Sequence, residues 1–306
     1  MPEKGVRLTY SQSSFQVLLV DQNEECLSTA TAFFFRASDG NDYVITNRHN
    51  VTGLDNFTGE FLSPTSHNRK PTRLTAKLST FVATIGEDGE QQFAVLPRTI
   101  ALYSGDLKTP LWREHPSLGA ICDVVAIRFK KDVSIPEFMH NFANMISTAK
   151  TPVLPGNTVF IIGFPSSISV GFGLPIWKSG FIASEPFYDV TIGGTVQAVG
   201  GMSGGCRIPA FFVDSETRSG MSGSPVFGRF TGTWNMNDPY EKIDPNEVGF
   251  WKRDDVALSA TAYEFLGIYS GRAPGKEGDA SLGICWRSAI LDEICLNENV
   301  PKHPHS

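Results

Sequence analysis

The sequence predicts an all-β protein built from two compact units. Two compositional facts and one pattern carry that expectation. Twenty-two Phe suit strands, and 29 Gly with 19 Pro, scattered rather than repeated, supply turns. Short apolar or alternating segments recur along most of the chain, each bounded by turn residues. At about 150 residues per domain, a chain of 306 residues gives two units. That size buries a core without disulfides or metals.

In chain order, the first strands are Ser14 to Val20, apolar and β-branched, and Ala30 to Arg36, rich in aromatic residues. Ser38-Asp39-Gly40-Asn41-Asp42 is a hairpin signal, so Tyr43 to Thr46 reads as the return strand. Leu74 to Leu78 alternates, and Phe93 to Leu96 and Val124 to Phe129 are compact apolar runs. Lys130 to Lys150 loses the strand pattern and has room for one short helix. Pro152, Pro155 and Gly156 then reset the chain. The expected units are therefore 12–135 and 156–297, joined by a linker at 136–155.

The second unit resumes the same style. Its candidate strands are Thr158 to Gly163, Ile176 to Ala183, Val190 to Ala198, Ala210 to Val213, Ser224 to Phe227, Phe265 to Tyr269 and Gly283 to Trp286. Thr231 to Val256 is polar and reads as a long surface insertion. Ser288 to Leu296 is helical, with Ile290, Leu291, Ile294 and Cys295 on one face. The tail Asn297 to Ser306 is expected to fray.

Composition excludes several classes of function. Net charge is −6, which argues against nucleic-acid binding as the main task. Charged residues are 19% and hydrophobic residues 41%, so the chain is not disordered. No apolar run approaches the ~20 residues that span a bilayer, and the first residues carry no apolar signal region. No membrane role is expected. Five widely spaced cysteines lack any CxxC or Cys/His ligand spacing, so no metal site is expected. Their odd number suits a reducing, cytoplasmic setting. The sequons at Asn50 and Asn56 then read as chance matches. Without a Walker loop, EF-hand loop or HExxH, no cofactor is expected.

Three segments together suggest chemistry. Thr46-Asn47-Arg48-His49 directly follows a strand, Asp123 heads the apolar run Val124-Val125-Ala126-Ile127, and Gly220-Met221-Ser222-Gly223-Ser224-Pro225 is a glycine-rich turn. A serine hydroxyl needs a base to become nucleophilic. Histidine supplies one, with an ordinary pKa of about 6.5. A buried carboxylate fixes its tautomer and stabilises the imidazolium. Gly201-Met202-Ser203-Gly204-Gly205 is a competitor, matching the Gly-x-Ser-x-Gly elbow of α/β-hydrolase esterases. That alternative requires acid and then His after Ser203. Only His303 and His305 follow it, and Pro209 leaves no helix after the turn. The glycine-rich stretch around Ser203 reads instead as a loop near the site. His115 reads as structural, His67 and His140 as surface residues, and Cys122 as packing.

On Ile45-Thr46-Asn47-Arg48-His49, Asp123-Val124-Val125-Ala126-Ile127, Gly220-Met221-Ser222-Gly223-Ser224-Pro225 and Phe265-Leu266-Gly267-Ile268-Tyr269-Ser270-Gly271, the chain resembles the chymotrypsin/trypsin-like serine peptidases of the bacterial trypsin-like type. The likeness runs from about Phe15 to Leu296. It implies two packed antiparallel six-stranded β-barrels with a C-terminal helix, and endopeptidase activity on polypeptides through an acyl-enzyme. It makes His49 the general base, Asp123 its orienter and Ser222 the nucleophile, with the amides of Gly220 and Ser222 as the oxyanion hole. It places the S1 walls at residues 214–219 and 269–272, so Glu216, Thr217, Arg218, Ser270, Gly271 and Arg272 are the expected substrate contacts. Glu216, six residues before Ser222, would favour a basic P1 residue. A protease-like binding module without catalysis is the second expectation. Met221 departs from the Asp that many secreted relatives carry before the nucleophile, so zymogen activation by an N-terminal ion pair is not expected.

Overall fold

The aromatic run ahead of Ser38 folds as a hairpin in the computed structural model of the chain, which describes residues 9–56, 58–62, 69–85, 90–130, 140–147, 149–192, 206–273 and 282–305. Strand β2 (Cys26–Arg36) turns at Gly40 into β3 (Asp42–Thr46), pairing Phe33 with Ile45 and Phe35 with Tyr43. The first half also contains β1 (Phe15–Val20), β4 (Arg73–Ile85), β5 (Glu90–Ala101), β6 (Trp112–Arg113) and β7 (Val125–Arg128). These form a seven-stranded antiparallel sheet in the order β5-β4-β1-β2-β3-β7-β6. The seventh strand, beyond the six expected, is the two-residue β6 added outside β7.

The second half contains β8 (Thr158–Gly163), β9 (Ile176–Ile182), β10 (Val190–Ile192), β11 (Cys206–Ile208), β12 (Ala210–Asp214), β13 (Pro225–Asn235), β14 (Val256–Arg272) and β15 (Leu282–Arg287). Six of them close a barrel in the order β12-β15-β14-β13-β8-β9, while β10 and β11 pair separately. Helix α1 (Arg48–Thr52) follows β3, and helix α2 (Ala289–Leu296) follows β15. The apolar face read from sequence is the buried one: Ile290, Leu291, Ile294 and Cys295 are all within 3% of full burial.

One hydrophobic cluster joins the halves. Phe33, Tyr43 and Ile45 from the first half meet Phe227, Ile268 and Trp286 from the second, and α2 seals the seam. Phe33 and Phe265 make an edge contact at 5.7 Å. Each fully buried large side chain contributes about 1.5–3 kcal/mol relative to exposure. The seam is therefore held by the same force as either interior.

Several expectations change. The polar segment Thr231 to Val256 is not all insertion, because β13 and β14 extend into it as one long hairpin. Its tip is fastened by Arg253, which pairs with Glu241 and Asp255 at 2.8 Å. The tail after α2 is not frayed. Asn297 Nδ2 donates to Glu114 O at 2.7 Å, Lys70 Nζ meets His303 Nε2 at 3.1 Å, and His305 stacks on Phe61. The described part of Lys130 to Lys150 holds one 3-10 turn, Ala143–Met145, while residues 131–139 and 148, where much of the expected helix would lie, fall outside the described residues. His67 also lies outside them.

His140 is not a surface residue. Its Nε2 accepts the Ser79 N–H at 2.9 Å, its Nδ1 lies 3.3 Å from Gln12 O, and its ring packs on Phe15 and Phe34. Nε2 can accept only in the neutral ring, and burial pushes the pKa down to about 4. The unfolded chain takes up this proton near 6.5, so stability contributed by His140 is complete above that value. It is lost as pH falls from about 6.5 towards 4. We expect urea midpoints of the wild type to fall between pH 7 and 4.5, and His140→Gln to flatten that slope. An unchanged slope in the variant would assign the loss to other groups.

Candidate active site

Helix α1 has five residues, too few to be stable alone. Its place is set by what its side chains hold. His49 N–H donates to Asp123 Oδ1 at 2.9 Å, and His49 Nδ1 lies 2.6 Å from Asp123 Oδ2. Asp123 sits at the head of β7 and is 3% exposed. A carboxylate accepts, so Nδ1 carries the proton and Nε2 of the neutral ring keeps its lone pair. Ser270, on β14, also donates its hydroxyl to Asp123 Oδ2. Asn47 Nδ2 donates to Asp123 O at 2.7 Å. One buried carboxylate thus receives two donors from α1 and one from the opposite half.

Four effects act on the His49 ring. Desolvation lowers its pKa, while the Asp123 charge, the hydrogen bond to Asp123 and, least, the Asp55 charge raise it, and the net shift is upward. Burial pushes the Cys122 and Cys285 thiols well up, which leaves neither as a nucleophile at neutral pH.

Ser222 lies in the tight turn before β13, flanked by Gly220 (φ 94°) and Gly223 (φ 90°). The carbonyls here are all engaged. Ser219 O accepts from Ser166 N–H at 2.7 Å, Met221 O from Ser224 N–H at 3.0 Å, and Ser222 O from Thr31 N–H at 3.0 Å. Met221 N–H and Gly223 N–H donate to Arg218 O and Tyr269 O. Among the described residues nothing accepts from Gly220 N–H or Ser222 N–H. In a planar trans peptide the N–H points opposite the carbonyl. Anchoring Ser219 O and Met221 O therefore aims these two amides away from the anchors. Among the described residues no hydrogen bond joins Ser222 Oγ to His49 Nε2; such contacts commonly tighten only with substrate.

The other expected contacts divide. Gly271 borders Ser222: a Cβ there would stand 3.9 Å from Ser222 Oγ. Ser270 spends its hydroxyl on Asp123, so it orients the carboxylate rather than reaching outward as a substrate contact. Thr217 is buried and its hydroxyl is bonded to the Tyr269 hydroxyl. Glu216, Arg218 and Arg272 are exposed, so Glu216 is no buried pocket floor. Met221 is fully buried in the barrel interior, a position that suits its thioether and not an aspartate. Ser203 and its glycine-rich stretch lie outside the described residues. Asn50 bonds the Thr46 hydroxyl and Ser222 O, and Asn56 bonds Ile121 O, so both sequon side chains are engaged.

Sequence reading missed the support behind α1. Arg48 Nε donates to Glu114 Oε1 at 2.9 Å, with side chains only 6% and 10% exposed, and Trp112 Nε1 donates to the same oxygen at 3.1 Å. A charged residue beside His49 gave no sign of burial, and the fold alone brings Glu114 to it.

The sequence model of the trypsin-like peptidase domain family matches residues 30–233, more than half of the chain. The chain belongs to that family. His49, Asp123 and Ser222 all fall inside the matched span of this trypsin-like peptidase domain. Among solved structures the chain is similar to the active form of the Rv3671c protease from M. tuberculosis, at 15% identity over 97% of this chain and 87% of that one, with a TM-score of 0.44. It is also similar to the HtrA-type protease AlgW with a tripeptide, at 11% identity over 94% of this chain and 60% of that one, with a TM-score of 0.43. No curated protein matches the chain.

The raised His49 value has a direct readout. Imidazole signals of His49 should titrate above the ordinary value of about 6.5 in an NMR pH series. In Asp123→Asn only the weaker Asp55 charge still opposes desolvation, so the same signals should titrate lower than in the wild type. A midpoint that does not move on this substitution would detach His49 from Asp123.

Proposed function

We propose that this domain is a serine endopeptidase. The observation that carries the reading is a histidine held by Nδ1 on a buried carboxylate, whose chain neighbour Asn50 donates to the carbonyl of Ser222, a serine in a turn with two unengaged amides. Nε2 of neutral His49 takes the Ser222 proton as Oγ attacks the peptide carbonyl carbon. The carbonyl oxygen gains the negative charge and is met by the N–H groups of Gly220 and Ser222. His49, now an imidazolium stabilised by Asp123, passes its proton to the leaving amine, and the acyl group stays on Ser222. Water then attacks the acyl carbon with His49 again as base, releasing the acid and restoring the serine.

Polypeptides are the substrate class that the family supports. All five cysteines are free thiols, which supports a reducing, cytoplasmic setting. Among the described residues no helix is long and apolar enough to cross a membrane.

A fluorophosphonate probe tests the reading. The label should map to Ser222, and Ser222→Ala and His49→Ala should each abolish it, while Ser203→Ala keeps it. Asp123→Asn should fold and lose about 10⁴ in kcat through the wrong His49 tautomer. Label on Ser203, or on neither serine, would leave an esterase or a non-catalytic binding module.

Specificity follows from the exposure of Glu216. A carboxylate in open solvent is screened and steers P1 weakly. In a P1-varied peptide library Glu216→Gln should shift the preference for Lys or Arg by less than about threefold. A collapse of basic P1 cleavage would return Glu216 to the pocket.

A further inference from the structure

Strand β2 crosses the nucleophile turn, and Thr31 is the residue at the crossing. It is fully buried. Its backbone N–H donates to Ser222 O at 3.0 Å. Its hydroxyl lies 2.7 Å from Gly220 O and 3.1 Å from Phe164 N. Its carbonyl accepts the Thr46 hydroxyl at 2.9 Å, and that hydroxyl accepts from Asn50 Nδ2 at 3.0 Å.

A threonine hydroxyl has one proton to give. Phe164 N–H can only donate, so the Thr31 proton goes to Gly220 O. That bond fixes the plane of the peptide between Gly220 and Met221. The planes on either side are fixed elsewhere: Ser219 O by Ser166 N–H, and Met221 O by Ser224 N–H. The middle plane links the two unengaged amides, so the Thr31 hydroxyl sets their separation and relative angle. Residue 220 needs such an outside restraint. Glycine at φ 94° has no side chain to limit its backbone.

We propose that Thr31 is a positioning residue for the oxyanion amides of Gly220 and Ser222. It touches no reacting atom; its hydroxyl holds the intervening peptide in the plane that aims both amides at one point. The proposal rests on the serine peptidase reading above. It goes beyond that reading by assigning to the first half of the chain a part of the oxyanion hole whose amides belong to the second.

The test compares Thr31→Val, which keeps the shape and removes the hydroxyl, with Thr31→Ser, which keeps the hydroxyl. The probe is the fluorophosphonate, whose P–O⁻-like transition state draws on the same amides. In Thr31→Val the saturating labelling rate constant should fall about 10- to 100-fold, with the half-saturating concentration within about twofold of wild type. The labelled fraction should still reach completion, because a merely misfolded population lowers the fraction and not the rate constant. Thr31→Ser should recover the rate constant to within about threefold, since the hydroxyl bond is retained. The pH midpoint set by His49 should not move. A Thr31→Val rate constant equal to wild type overturns the proposal. So does a loss confined to the labelled fraction or half-saturating concentration, or a Thr31→Ser variant as slow as Thr31→Val. Should Thr31→Val lack a native melting transition, Thr31→Ala is read in the same way. If neither folds, Thr31 is a folding residue and the proposal falls. A wild-type chain that takes no label at Ser222 is a different result and sinks the serine peptidase reading itself.

Discussion

A Cβ at residue 223 would stand 2.0 Å from the Thr31 carbonyl oxygen, so the Ser222 turn lies on strand β2 only because residue 223 is glycine. The same crowding recurs one strand over, where a Cβ at residue 163 would stand 2.0 Å from Ser224 Oγ and 2.7 Å from Thr31 Oγ1. Backbone therefore meets backbone at this crossing, and hydrogen bonds rather than side-chain packing fix the distance. Four of them converge on Thr31 alone. The seam cluster of Phe33, Ile45, Phe227 and Trp286 presses the halves together, but apolar contact is non-directional. The polar crossing supplies the directional restraint that the apolar seam lacks.

Asp123 plays the matching part beside His49. It belongs to the first half, yet Ser270 of the second half donates to it. A buried carboxylate without partners is costly. Here the cost is offset by donors from both halves, so the halves come together where the charge needs them. The same donors leave Oδ2 facing His49 Nδ1, which selects the tautomer with a free Nε2. Orientation of the His49 ring and docking of the halves are thus one interaction.

Much of this was legible in the chain. The β2–β3 hairpin followed from Asp39-Gly40-Asn41, and the buried face of α2 from its period. His49 and Asp123 drew attention because each stands beside an apolar strand, His49 just after β3 and Asp123 just before β7. What stayed hidden depends on contacts across long sequence separations. Ser270 looked like a substrate contact because the family resemblance placed a pocket wall at 269–272; only the fold shows its hydroxyl turned to a residue 147 positions earlier. Glu216 looked like a pocket floor by counting back from Ser222, but counting residues does not report which way a loop faces. Thr31 looked like an ordinary strand residue among aromatics. The tail looked frayed from its terminal position, and the stacking surface offered by Phe61 and Tyr103 cannot be read locally.

The five-residue α1 shows how these constraints combine. Successive helical residues point about 100° apart, and Arg48, His49 and Asn50 use three directions. His49 points to Asp123, Asn50 to the Thr46 hydroxyl and Ser222 O, and Arg48 to Glu114 behind. A helix this short gains little from its own hydrogen bonds, so three directional partners define its roll about its axis. An apolar residue in place of Arg48 would fill the same space but leave that roll free. The buried Arg48–Glu114 pair is therefore understood as a device for orientation rather than for net stability. Its second donor, Trp112 Nε1, and the Asn297 bond to Glu114 O fix the glutamate in turn. The roll of His49 is thus set by a chain of contacts that ends on the tail after α2.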